Sequence, residues 1–298
     1  MLRPSFVPPW PIRRLRDLTR YRTDLVCART AEKNRVEKLL EDACIKVSVV
    51  ASDIFGVSGR AMLAALVAGE RDPKVLAQLA RARMRAKIGR LEQAFNGHFD
   101  DHHGFLLSRM LARIDALDGD IAALDAQIAA ELAPFATAAS RLDDIPGVGP
   151  VAAAAIIAEI GVDMARFPTA GHLCSWAKFS PGIKSSAGKT KGRASCGHGN
   201  PYLPRVLGET VVAAARTNTF LAARYRRIAR RRGQPRAVVA VGRSLLVIIW
   251  HLLTDPGSRY QDLGADHYTR HIDPTAQKRN HIRQLEALGY AVTLTPVA

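Results

Sequence analysis

Apolar residues return at helical spacing along most of this 298-residue chain. After Pro11, the positions Leu15, Leu18, Leu25, Val36 and Leu39 recur near a 3.6-residue period, which predicts one long helix reaching about Ala43 with a single apolar stripe. Shorter helices are predicted at Val57–Val67 behind a glycine turn, at Pro73–Ala80 behind an Asp72 cap, and at Ala82–Phe95. From Leu107 the period changes to seven. Leu107, Ile114, Ile121 and Ile128 hold one seam position and Met110, Leu117 and Leu124 the other, until Glu131 breaks the pattern. That repeat predicts a coiled coil, with self-association of two chains expected along the seam, although an antiparallel partner helix within the chain could use the same face. Pro134 and the Asp143-Asp144 pair close the segment. Residues 201–232 read as one helix stopped by Gly233 and Pro235, Ala237–Leu253 as a buried helix, and Thr275–Leu288 as a helix before an extended end. The fold class expected is mainly α, in three parts: a helical region at 1–104, a coiled coil or linker helix at 105–140, and a C-terminal domain at 141–298.

Charge changes this picture by showing where a partner would sit. The chain has 43 Lys+Arg against 27 Asp+Glu, a formal charge of +16, which favours DNA, RNA or an acidic membrane. Membrane attachment fits less well. The longest apolar run, Ala237–Leu253, is interrupted by Gly242, Arg243 and Ser244, and Met1–Trp10 has no signal-peptide core. The basic residues concentrate between Pro181 and Trp250, with fourteen Lys/Arg and one acidic residue, Glu209. The four cysteines are far apart and form no CxxC pair, so neither a disulfide framework nor a zinc ribbon is indicated, and a reduced, cytoplasmic, nucleoid-associated protein is expected.

Three stretches carry candidate chemistry. Residues 184–205 set Ser185, Ser186, Lys189, Lys191 and Arg193 among glycines, so that small and cationic groups can lie close to a polyanion. Such cations can hold a phosphodiester while a serine attacks it. A glycine-rich loop with incidental serines is the alternative. A phosphate-binding loop of the NTPase type is excluded, because five residues separate Gly182 from Gly188 where four are required, and no apolar strand precedes them. Upstream, Gly147-Val148-Gly149 lies before an alanine-rich helix, as in a helix-hairpin-helix that grips a DNA backbone; a tight connection between packed helices would use the same glycines. The third stretch is the arginine block of Arg224, Arg226, Arg227, Arg230, Arg231 and Arg232, of which Arg230, Arg231 and Arg232 are read as nucleic-acid contacts. His98, Asp100, Asp101, His102 and His103 cluster before a helix, where aspartates cap more often than they ligate, and Cys196 with His198 lacks a second pair. No metal site is expected in this chain.

These residues resemble the DEDD-type transposases of bacterial insertion sequences, RNA-guided recombinases. The likeness runs through LRPSFVPPWPIRRLRDLTRYR, EKNRVEKLLEDACIKV, FGVSGRAMLAAL, FDDHHGFLL, LDDIPGVGP and SSAGKTKGRASCGHGNPYL. The resemblance implies a RuvC-like nuclease region with four metal-binding carboxylates, a coiled coil, and a C-terminal transposase domain bearing a nucleophilic serine. That serine precedes a Gly/Ala-Gly-Lys run, which selects Ser186, with Ser185 as the fallback. The partners implied are insertion-sequence ends, target DNA and a guide RNA, and the cofactor implied for the full-length enzyme is Mg2+. The family's carboxylates precede the LRPSF-like segment, whereas this chain begins Met1-Leu2-Arg3-Pro4, so none of Asp17, Asp24, Glu32 or Asp53 can be carried over to them. A late-assigned start or a truncated copy is therefore expected, with little or no recombination by this chain alone. The alternative is a non-catalytic nucleic-acid-binding protein derived from a transposase.

Overall fold

A computed structural model describes residues 7–182, 185–190, 199–270 and 274–295. It is mainly α-helical and separates into two compact units, Asp17–Glu131 and a second made of Met1–Arg16 with Leu132–Ala298. The 105–140 segment read as a linker is thus divided between them: its long helix belongs to the first unit and its last residues to the second.

The first unit is built on two long helices, α1 (Trp10–Asp42), which enters it, and α6 (Asp101–Leu132), which leaves it. Leu25 packs with Leu117 and Ile121, while Val36 and Leu40 share a core with Leu107, Leu111 and Ile114. Arg22 pairs with Asp125, Arg29 with Asp118 and Glu32 with Arg113, so numbers fall on α6 as they rise on α1. The two helices are therefore antiparallel. The heptad seam expected to meet a second chain is covered within this chain by α1, because a helix returning after some sixty residues presents the same apolar stripe. Between them lie α2 (Val47–Val50), α3 (Val57–Val67), α4 (Pro73–Gln78) and α5 (Ile88–Ala94), which bury Met62, Leu63, Leu66, Leu76 and Leu91 in that core. Asp72 accepts from Lys74 N at 2.9 Å, the predicted cap. The predicted helix Ala82–Phe95 instead begins as a 3₁₀ segment, Ala82–Lys87, because Ala82 takes φ +47° and α5 starts only at Ile88. Asp100 caps α6, accepting from His103 N at 3.0 Å and contacting the His103 ring as well. Among the described residues no group of three or more His, Cys, Asp or Glu is gathered to hold a metal.

The second unit centres on α12 (Gln234–Thr254), which packs against α7 (Ala136–Asp143), α9 (Ala170–Trp176), α10 (Tyr202–Ala214) and α11 (Phe220–Arg232). With α8 (Pro150–Ile160) on α7 and α10, these helices bury Leu142, Ile156, Ile157, Leu173, Leu207, Leu245, Leu246 and Ile249. α12 is 21 residues long, longer than the apolar run expected, and by length and composition it could cross a membrane; here its apolar face forms the centre of the unit. The single helix predicted over 201–232 is two. Thr219 caps α11 by accepting from Ala222 N, and Thr217 turns back to the Ala214 carbonyl, so two threonines in three residues end one helix and start the next. β1 (Ser185–Ser186) and β2 (Lys189–Thr190) form a short antiparallel pair, and α13 (His267–Arg270) and α14 (Pro274–Ala287) follow α12.

Candidate nucleic-acid interface

The candidate serines lie on a hairpin. Ser185 pairs with Thr190 and Ser186 with Lys189, and the two residues between strands, Ala187 and Gly188, have φ of +51° and +73°. Two consecutive positive φ values are what a two-residue hairpin with right-handed strand twist requires. Gly188 adopts this without strain; Ala187 does so at a cost of order 1–2 kcal/mol. Ser186 therefore flanks the turn directly, opposite a lysine, and Ser185 sits one position further back, opposite a threonine. Lys189 is exposed. Lys191, Arg193, Cys196 and His198 lie outside the described residues.

Both stems of this loop are anchored on the helical core. On the entry side, buried Phe179 lies against Gly242 of α12, where an added Cβ would stand 2.4 Å from the Phe179 ring. Arg243, next in sequence, donates to Ser180 Oγ at 3.3 Å. On the exit side, Asn200 donates to Glu159 and its own Oδ1 accepts from Tyr202 N at 2.9 Å. Glu159 is 2% exposed, and Arg16 Nε stands 3.7 Å from its carboxylate while also donating to the Ala158 carbonyl. Sequence reasoning passed over Glu159. Its signal was a lone carboxylate inside the otherwise apolar run of α8, a position where a charge survives only when partnered.

The Gly147-Gly149 turn joins α7 to α8, and its two glycines do different work. Gly147 has φ +89°, and a Cβ there would approach Thr210 O to 2.5 Å and Ala214 N to 2.7 Å, so α10 packs directly on the turn. Gly149 faces open space and is the N-cap of α8, with Pro150 at the first helical position and exposed Val151 after it. Ile145 and Val148 are buried beneath. Packing accounts for Gly147, while the open start of α8 leaves N–H groups of the first turn directed outward.

Arg230, Arg231 and Arg232 are exposed at the end of α11. Two other arginines of the chain are spent on structure. Arg16 donates to the Ala158 and Glu159 carbonyls at 2.8 Å, and Arg141, 6% exposed, donates to the Leu252 and Asp255 carbonyls at 2.6 and 3.0 Å. Each closes the C-terminal end of a helix, α8 and α12, where the carbonyl dipoles favour a cation. Burial pushes the Cys174 thiol and the Tyr260 phenol up from their ordinary values, so neither offers a ready anion at neutral pH.

The second unit thus carries the glycine turn, the 185–190 hairpin and the exposed arginines of α11 on a helical scaffold. Residues 139–226 match the family described as Transposase IS116/IS110/IS902 family, a span running from α7 into α11. The chain is also 32% identical over 142 residues to the "Insertion element IS110 uncharacterized 43.6 kDa protein" of Streptomyces coelicolor, a match covering 47% of this chain and 34% of that protein. The chain therefore spans about a third of the length of the curated relative it matches. At the coarse level, insertion-sequence transposase, these similarities agree with the resemblance read from the sequence.

Proposed function

We propose that this chain acts in DNA transposition of an insertion sequence, binding DNA ends and a guide RNA through its basic second unit, with Ser186 as the residue that attacks the strand. The observation that carries the reading is the hairpin register: Ser186 stands beside the turn and pairs across it with Lys189, inside the segment that matches the transposase family. A phosphodiester at that position has a cation opposite the attacking residue, which counters charge building on phosphorus. In the step inferred, the Ser186 oxygen forms a bond to phosphorus and loses its proton, while the bond from phosphorus to one sugar oxygen breaks and that oxygen takes up a proton. The product is a phosphoserine-linked DNA end and a free sugar hydroxyl. Asn200 and Glu159 hold the exit stem, and Phe179 with Arg243 the entry stem, so the loop leaves and rejoins a fixed base. The helix-hairpin-helix reading of the Gly147-Gly149 turn belongs here too, with Gly149 and the open start of α8 as the backbone grip. The described residues offer no ligand set for the Mg2+ that the resemblance implies.

The test is a covalent trap. DNA carrying an insertion-sequence end is incubated with the chain and guide RNA, and denatured products are mapped by mass spectrometry. An adduct on Ser186 that disappears in Ser186→Ala, with binding intact, supports the assignment and overturns the expectation that this chain alone recombines little. An adduct lost only in Ser185→Ala moves the nucleophile by one residue, and binding without any adduct favours the non-catalytic alternative.

A further inference from the structure

The arginines of α11 are not equivalent. Arg224, Arg227, Arg231 and Arg232, with Ile228 and Tyr268, line a pocket of about 230 Å³, whereas Arg226 and Arg230 do not reach it. One turn of helix separates each of 224, 227/228 and 231, so these side chains rise from one face of α11. Tyr268, from α13, organises them. The Tyr268 ring stacks on Phe220 with centroids 5.4 Å apart, and the Arg227 guanidinium lies over it at 4.5 Å. Phe220 and Arg227 are two turns apart on α11, and both contact the Tyr268 ring. Arg224 donates to the Tyr268 hydroxyl at 3.0 Å. A stacked arginine keeps its N–H edge for a bidentate acceptor.

Among the described residues no carboxylate lines this pocket. The acidic residues nearby are committed: Asp262 accepts from Phe220 N, Gly264 N and Tyr260 Oη, and Asp266 pairs with Arg270. Four guanidiniums around one cavity repel one another, and an anion seated among them offsets that repulsion. The volume is several times the ~30 Å³ share of a water molecule, enough for a phosphate. With four guanidiniums in its lining and Tyr268 already contacted by Phe220 and Arg227, the pocket suits a phosphate rather than a base.

We infer that Arg224, Arg227, Arg231, Arg232 and Tyr268 form a socket for a single backbone phosphate of the bound nucleic-acid strand. This deepens the nucleic-acid reading above and rests on it. Most of the socket, from Arg227 onward, lies beyond residue 226, where the transposase-family match ends.

Because the arginines share one phosphate, their effects on salt dependence are not additive. Binding of the full chain to a duplex oligonucleotide is measured by anisotropy across a salt series. Arg227→Gln lowers the slope of log K against log salt by about 0.9, the share of one phosphate, and the Arg227→Gln/Arg231→Gln double variant lowers it no further. Lys74→Gln, in the other unit, leaves it unchanged. As a second readout, inorganic phosphate raises the melting temperature of the wild-type chain more than that of the double variant, which also shows that the variant folds. An unchanged slope, or a loss of about 0.9 for each arginine in turn, overturns the shared socket while leaving nucleic-acid binding in place. A wild-type chain that binds no duplex at any salt overturns the nucleic-acid reading itself, and the socket's occupant with it.

Discussion

At the scale of single residues, the loop that carries Ser186 depends on side chains that are not in it. Phe179 fills the space left by the missing side chain of Gly242, and Glu159 holds Asn200. Gly242→Ala would put a Cβ 2.4 Å from the Phe179 ring, so the ring, and with it the entry stem, must move. The expected cost is about 1–3 kcal/mol, as for other overpacked cores, read as an earlier urea midpoint with an unchanged m value. If the midpoint stays put, Phe179 has an alternative seat and the stem is not braced there. Neither contact was legible in the sequence, since Gly242 read only as an interruption of an apolar run and nothing in the pattern linked it to Phe179, or Glu159 to Asn200. Arg16 and Arg141 show the same limit in reverse: they counted toward a nucleic-acid charge, but their guanidiniums close helix ends.

At the scale of elements, periodicity was enough wherever a helix is long and amphipathic. Val57–Val67 was read to the residue, and α1 and α12 to within a few residues at each end. What periodicity cannot name is the partner of an apolar stripe, because a seam of Leu and Ile accepts a second chain or a returning helix alike. Here α1 fills it, with Leu25 against Leu117 and Ile121. Leu117→Asp with Leu124→Asp is accordingly expected to cost several kcal/mol of folding stability and to reduce the helical circular dichroism signal. Sedimentation that instead shows a folded chain of halved mass would mean the seam joins two molecules. The start of α6 offers a smaller test. Hydrogen bonding from the His103 backbone N–H, and then from its ring, holds the Asp100 carboxyl below the usual carboxylate range. A carboxylate lowered in the folded state contributes stability that is complete above its unfolded value near 3.9 and is lost as pH falls through the lower folded value. Asp100→Ala should therefore destabilise the fold at neutral pH, an effect that disappears in strong acid, where the wild-type carboxyl is protonated too. Equal destabilisation at pH 7 and at pH 2 would assign the effect to packing.

At the scale of the whole molecule, the charge that first suggested nucleic acid belongs to one unit. Residues 17–131 hold seventeen Lys/Arg and seventeen Asp/Glu, so the formal +16 of the chain resides on Met1–Arg16 and Leu132–Ala298. In the neutral unit several of these ions are paired between helices, as in Arg22 with Asp125, Arg29 with Asp118 and Arg60 with Asp115. Exposed pairs of this kind contribute little stability each, but they leave that unit without a net field to attract a polyanion. The +16 unit lacks such compensation over most of α11, and its field extends about a Debye length, ~8 Å at physiological ionic strength. Hydrogen exchange on the full chain, with and without duplex DNA or guide RNA at 0.15 M salt, is therefore expected to show slowed amides in the Gly147–Gly149 turn, the 185–190 hairpin and α11. The core of α3 and α4 should exchange alike in both states. The one local concentration of cations in the neutral unit, Arg81, Arg83, Arg85, Lys87 and Arg90, supplies the decisive comparison, because it is as dense in sequence as α11 yet has no family match and no net charge around it. Protection appearing at residues 81–90 while α11 exchanges freely would show that local density, not the net field of the unit, selects the interface, and would move nucleic-acid binding away from the segment that carries Ser186.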